Sequence, residues 1–112
     1  MKKIEAIIRP EKMSAVKAAL ENVGCGGLMV SEIEGHGKQK GIVQQWRGEK
    51  YKVDLLPKIK LEIVTNDDKV DLIIKTIMDV AKTGEIGDGK IFLYPVEDVF
   101  KIRTGEKGEK AI

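Results

Sequence analysis

The chain has 112 residues, one domain's worth, with 20 Lys and Arg against 18 Asp and Glu for a net charge of +2. That charge is too small and too dispersed for a nucleic-acid footprint, and with aromatic residues at 4% there is no stacking platform for bases. A single cysteine, Cys25, and a single histidine, His36, exclude an internal disulfide and a His/Cys metal cluster, which fits a reducing compartment.

Ile4, Ala6 and Ile8 alternate with Glu5 and Arg9, the pattern of a first strand stopped by Pro10. Met13, Val16, Leu20 and Val23 recur at helical spacing and predict a helix over 12–22, ended by Gly24, Gly26 and Gly27. Residues 28–35 are rich in β-formers and read as a second strand. From His36 to Asp54 neither period holds, so 36–54 reads as a long irregular loop, a type that is usually functional. Pro57 precedes the clearest strand, in which Ile59, Leu61 and Ile63 alternate with Lys58, Lys60 and Glu62. Thr65-Asn66-Asp67-Asp68 is a helix start, and Val70, Ile73, Ile74, Ile77, Met78 and Ala81 form the apolar stripe of a second helix expected to stop at Gly84. Ile91-Phe92-Leu93-Tyr94 is a fourth strand ended by Pro95, and a short apolar segment follows at 99–102. The polar tail at 104–112 is expected to be mobile.

The order β-α-β-loop-β-α-β predicts a single α+β domain over 1–112, a ferredoxin-like βαββαβ sandwich. Two helices cover only one face of a four-stranded sheet, so the other face is expected to be covered by oligomerisation. No apolar run reaches signal-peptide or membrane-span length, and the expected setting is cytoplasmic.

The segment Thr83-Gly84-Glu85-Ile86-Gly87-Asp88-Gly89-Lys90 joins a helix to a strand. It is not a Walker A motif, because its glycine spacing and element order are wrong. Its glycines can still turn successive backbone N–H groups into an anion nest, with Lys90 adding charge. On these residues alone, an ordinary Asp-Gly turn is the favoured reading. Lys38, Lys58, Lys101 and Arg103, each taken singly, read as solvated charges, although Lys58 sits at the mouth of the long loop. Gly35, Gly37 and Gly41 at the base of that loop serve equally as plain flexibility or as a ligand clamp. Gln39 offers an amide oxygen to Mg²⁺. Near the loop's far end, Trp46-Arg47 and Tyr51 have the character of an interface hot spot. Cys25 has no adjacent base and reads as non-catalytic.

Several ordered segments then carry a resemblance. The opening residues 1–10, Val53-Asp54-Leu55-Leu56-Pro57-Lys58, Thr83 with Gly87-Asp88-Gly89-Lys90-Ile91-Phe92-Leu93, and Arg103-Thr104-Gly105-Glu106 resemble the PII signal proteins, GlnK-like within the GlnB/GlnK group. The resemblance spans essentially the whole chain. It implies a homotrimer with nucleotide sites between subunits, binding ATP or ADP. Gly87, Asp88, Gly89, Lys90, Lys38, Lys101 and Arg103 would hold the phosphates, and Ile7, Met29, Gly35, Gly37 and Val64 would surround adenine and ribose, with Gln39 also at the nucleotide. Bound Mg²⁺ beside Gln39 would be chelated by 2-oxoglutarate, whose distal carboxylate would meet Lys58, with Gly37, Lys40, Gly41, Ile86 and Gly87 completing the site. The long loop, called the T-loop in that family, would change shape and engage an ammonium transporter through Trp46, Arg47 and Tyr51, or engage glutamine synthetase or another nitrogen-metabolism enzyme. Membrane association would be peripheral, through the transporter, and Tyr51 is a candidate for modification. Met29, Lys38, Trp46 and Lys101 depart from the residues usual in the family. A regulatory, non-enzymatic role is expected. The alternatives are a trimer that senses a different metabolite and a weak nucleotide hydrolase.

Overall fold

A computed structural model describes residues 1–36 and 55–112 in full, together with the backbone of 42–46 and 49–53. Six strands and two helices run in the order β1 (Lys2–Ile8), α1 (Met13–Asn22), β2 (Met29–Gly35), β3 (Ile42–Trp46), β4 (Glu49–Val53), β5 (Leu56–Thr65), α2 (Val70–Ala81) and β6 (Lys90–Pro95). Four of the strands form an antiparallel sheet in the order β2-β5-β1-β6. Strands β1 and β2 flank β5, and β5 and β6 flank β1, so two βαβ units interleave in the ferredoxin-like manner.

Alternation decides which face is buried. Ile4, Ala6 and Ile8 of β1 and Ile59, Leu61 and Ile63 of β5 point toward the helices and are almost fully buried. They meet Val16 and Leu20 of α1 and Val70, Ile73, Ile77 and Ala81 of α2 in one core. The opposite face carries Lys3, Glu5, Lys60 and Glu62, whose charges are mutually satisfied. Lys3 Nζ lies 3.0 Å from Glu62, and Lys60 Nζ lies 3.7 Å from both Glu5 and Glu62. The Tyr94 hydroxyl donates to Glu5 Oε2 at 2.8 Å, and Lys3 Nζ sits 5.2 Å from the centre of the Tyr94 ring. Among the described residues no helix covers this face.

Strand β6 lies at one edge of the sheet, and its Phe92, Leu93 and Tyr94 are all exposed. Among the described residues no helix is long and apolar enough to cross a membrane.

The structure departs from the sequence reading at four places. Pro10–Lys12 form a 3-10 turn ahead of α1, where proline is tolerated because its missing N–H has no intrahelical partner. Helix α1 closes as expected at glycine, in a Schellman arrangement: Gly24 (φ 80°) donates to Glu21 at 3.1 Å and Cys25 to Leu20 at 3.0 Å. Helix α2, in contrast, is stopped by Lys82 in an extended conformation, before Gly84 is reached. The irregular stretch expected over 36–54 contains a hairpin, with β3 and β4 paired from Ile42 opposite Val53 to Trp46 opposite Glu49. Its β-branched and aromatic residues suit strands, but each run is only five residues long, too short to declare a period. Finally, the tail folds back. Gly108 N donates to Val99 O at 2.9 Å and to Asp98 Oδ1 at 3.0 Å, Phe100 bridges to Lys107, and Gly108–Ala111 form a 3-10 turn with Ala111 buried.

Candidate functional site

The site is built where α2 feeds into β6. With α2 ended at Lys82, residues 83–89 must reverse the chain, and Asp88 organises the reversal. Its Oδ2 accepts the N–H groups of Thr83 and Gly84, each at 2.9 Å, and its Oδ1 accepts the Thr83 hydroxyl. Thr83 Oγ1 in turn accepts Glu85 N–H at 3.1 Å. The Thr83 hydroxyl, the two backbone donors and Arg9 hold the Asp88 carboxyl well below the usual carboxylate range. A carboxylate so fully engaged is a structural acceptor and has no capacity left to act as a base.

Two glycines beyond it take conformations that side chains resist. Gly87 has φ 105° and Gly89 φ 99°. At Gly89 the constraint is also spatial, because a Cβ there would overlap the carbonyl of Ile7. The turn therefore rests directly on the end of β1.

Among the described residues, three cations lie around it. Arg9, just past β1, donates from Nε to Asp88 Oδ1 at 3.1 Å and from Nη2 to the Ile86 carbonyl at 2.8 Å. Lys58 of β5 donates to the Gly87 carbonyl at 2.8 Å. Burial, and then the nearby Arg9 charge, push the Lys58 ammonium below its ordinary pKa, so an anion here would be welcomed by both groups. Lys90 opens β6 opposite Ile7. Beside Lys58 and Lys90 lies a cavity of about 600 Å³ lined by Ile7, Gly35, His36, Leu56, Lys58, the 85–90 turn and Phe92. Such a space suits a small polyanion with one apolar part.

The structure thus gathers Ile7, Gly35, Lys58, Ile86, Gly87, Asp88, Gly89 and Lys90 at one place. It does not bring Met29, Val64, Lys101 or Arg103 there. Val64 lies six residues along β5 from Lys58, about 20 Å away, opposite Lys3. Met29 is opposite Glu62 and exposed. Lys101 belongs to the folded-back tail, where its N–H donates to Glu106 O at 2.8 Å and its ammonium lies 3.9 Å from the Glu106 carboxylate; Arg103 follows it on the same turn. Gly37, Lys38, Gln39, Lys40, Gly41 and Arg47 lie outside the described residues, as do the side chains of Trp46 and Tyr51. Among the described residues no three His, Cys, Asp or Glu side chains gather as a metal site.

Sequence reasoning gave no individual site role to Arg9, Thr83, His36, Leu56, Glu85 or Phe92, all of which lie at the turn or its cavity. Only Thr83 carried a signal, since a hydroxyl residue five positions before an Asp-Gly pair can close a turn.

Comparison with known proteins adds to this geometry. The sequence model of a family described as Nitrogen regulatory protein P-II matches residues 1–106. The chain is 56% identical over 112 residues to Nitrogen regulatory protein P-II 2 of Methanothermobacter thermautotrophicus, covering all of this chain and 97% of that one. It is 54% identical to Nitrogen regulatory protein P-II of Nostoc punctiforme and 55% identical to that of Pasteurella multocida, in both cases over the full length of both chains.

Proposed function

Since the chain belongs to the nitrogen regulatory P-II family, we propose that it is a non-catalytic sensor of nitrogen, carbon and energy status, binding ATP or ADP and, with Mg-ATP, 2-oxoglutarate. It works as a homotrimer in the cytoplasm. The β3–β4 hairpin and its flanks, carrying Trp46, Arg47 and Tyr51, report ligand occupancy to an ammonium transporter, glutamine synthetase or another nitrogen-metabolism enzyme, and the protein meets a membrane only through the transporter.

The observation that carries this reading is the convergence of Lys58, Lys90 and the left-handed Gly87 and Gly89 on one cavity. Phosphates suit the glycine turn and Lys90, and the apolar wall of Ile7 and Phe92 suits a base or ribose. The distance of Met29, Val64, Lys101 and Arg103 from this cavity fits a site completed by a neighbouring subunit, which would supply adenine contacts and two more cations. Lys58 would exchange its present contacts for the distal carboxylate of 2-oxoglutarate, with Gln39 holding Mg²⁺. The hydrolase reading gains nothing from Asp88, whose carboxylate is already engaged by Thr83, Gly84 and Arg9.

Two ligands that share a site must alter each other's affinity by the same factor. Isothermal titration is expected to show 2-oxoglutarate binding at least tenfold tighter with Mg-ATP than without it. Lys58→Met should abolish 2-oxoglutarate binding and leave ADP affinity within about threefold. Equal 2-oxoglutarate binding with and without Mg-ATP would defeat the coupled-sensor reading.

A further inference from the structure

We infer that Arg9 is the positioning residue of the anion-binding turn: its guanidinium fork sets the peptide plane that aims the Gly87 N–H, and no other described side chain holds that carbonyl. The inference rests on the reading of the turn as a phosphate site.

All peptide bonds here are trans, so each C=O points opposite to the N–H of the next residue. Arg9 Nη2 takes the Ile86 carbonyl at 2.8 Å, and the Gly87 N–H is thereby directed away from the guanidinium. Lys58 takes the next carbonyl, that of Gly87, at 2.8 Å, which directs the Asp88 N–H away from the ammonium. Two consecutive peptide planes are thus pinned by two cations, each on a different strand terminus. Gly87, at φ 105°, has no side chain to restrict its own rotation, so the restriction has to come from outside the turn.

The second arm of the fork matters as much. Arg9 Nε binds Asp88 Oδ1 at 3.1 Å, and the same carboxylate holds Thr83 and Gly84 through Oδ2. Arg9 therefore ties both ends of the turn to β1, on which Gly89 already rests through the Ile7 carbonyl. A lysine at this position would keep the charge but could not span a carbonyl and a carboxylate at fixed angles. This separates positioning from simple attraction of an anion.

The test compares wild type, Arg9→Lys and Arg9→Gln in titrations with ATP and with AMP, alongside thermal unfolding and the backbone amide NMR spectrum of the ligand-free protein. Both variants are expected to lose ATP affinity at least tenfold, with AMP affinity within twofold and a single cooperative unfolding transition as in wild type. Their ligand-free amide signals should move at Gly87 and Asp88 while those of the helices stay in place. Recovery of ATP affinity by Arg9→Lys to within threefold would mean that charge alone suffices, and overturns the inference. So would unshifted Gly87 and Asp88 amides in both variants, or an Arg9→Lys protein that fails to fold. If wild type itself binds no ATP, the nucleotide reading fails, and the ligand-free amide signals alone decide whether Arg9 sets the turn.

Discussion

At Gly89 two constraints meet that need not have coincided: a left-handed backbone and the Ile7 carbonyl pressed against the position a side chain would take. Gly89→Ala is expected to cost about 3 kcal/mol in urea denaturation, because both the φ penalty and the backbone overlap must be relieved. Gly24→Ala carries the φ penalty alone and should cost about 1 kcal/mol by the same measurement. The glycines of the turn were legible in the sequence because glycine and Asp-Gly pairs announce chain reversal locally. Arg9 was not, because a charged residue between a strand and a proline looks solvated, and its partner Asp88 is 79 positions away. Periodicity and spacing report neighbours along the chain. A contact between two loop residues at opposite ends of it leaves no such trace.

The elements divide along the same line. Helix α2 was legible to its last buried residue, since Val70, Ile73, Ile77 and Ala81 describe a stripe that only one backbone period can bury. Ile77, 1% exposed at the centre of the core, tests that stripe: Ile77→Ala should lower stability by about 2–5 kcal/mol in chemical denaturation, through lost burial and the cavity left behind. Strands β3 and β4 escaped detection because each is only five residues long and their pairing is confined to a two-stranded sheet. The fold of the tail left no periodic trace either. Its order comes from Asp98 and from Gly105 and Gly108, both at φ 75°, whose turns hold a polar segment without an apolar pattern.

At the scale of the whole molecule the sheet has one face committed to the core and one that carries a closed set of charges. Lys3, Glu5, Lys60, Glu62 and Tyr94 satisfy one another, which makes it possible to bury this face without leaving a bare charge. In the trimer proposed above, Glu62→Lys would set three ammonium groups side by side. Light scattering after gel filtration should then show monomers at concentrations where wild type is trimeric, with the dissociation constant raised at least tenfold, and Lys3→Glu in the same chain should partly restore assembly. An unchanged mass would show that this face is not the interface.

The edge of the sheet has a consequence of its own. Along β6 the unpaired backbone lies beside three exposed apolar side chains, with a proline only at its end. Such a border accepts any strand of suitable length, whether or not it comes from the right partner. In the proposed trimer, a newly made subunit would therefore be in a race, protected by the speed with which its own kind arrives. Dilution or uneven synthesis would then expose it to wrong company for longer, and the supply of subunits would matter as much as the strength of the proposed assembly.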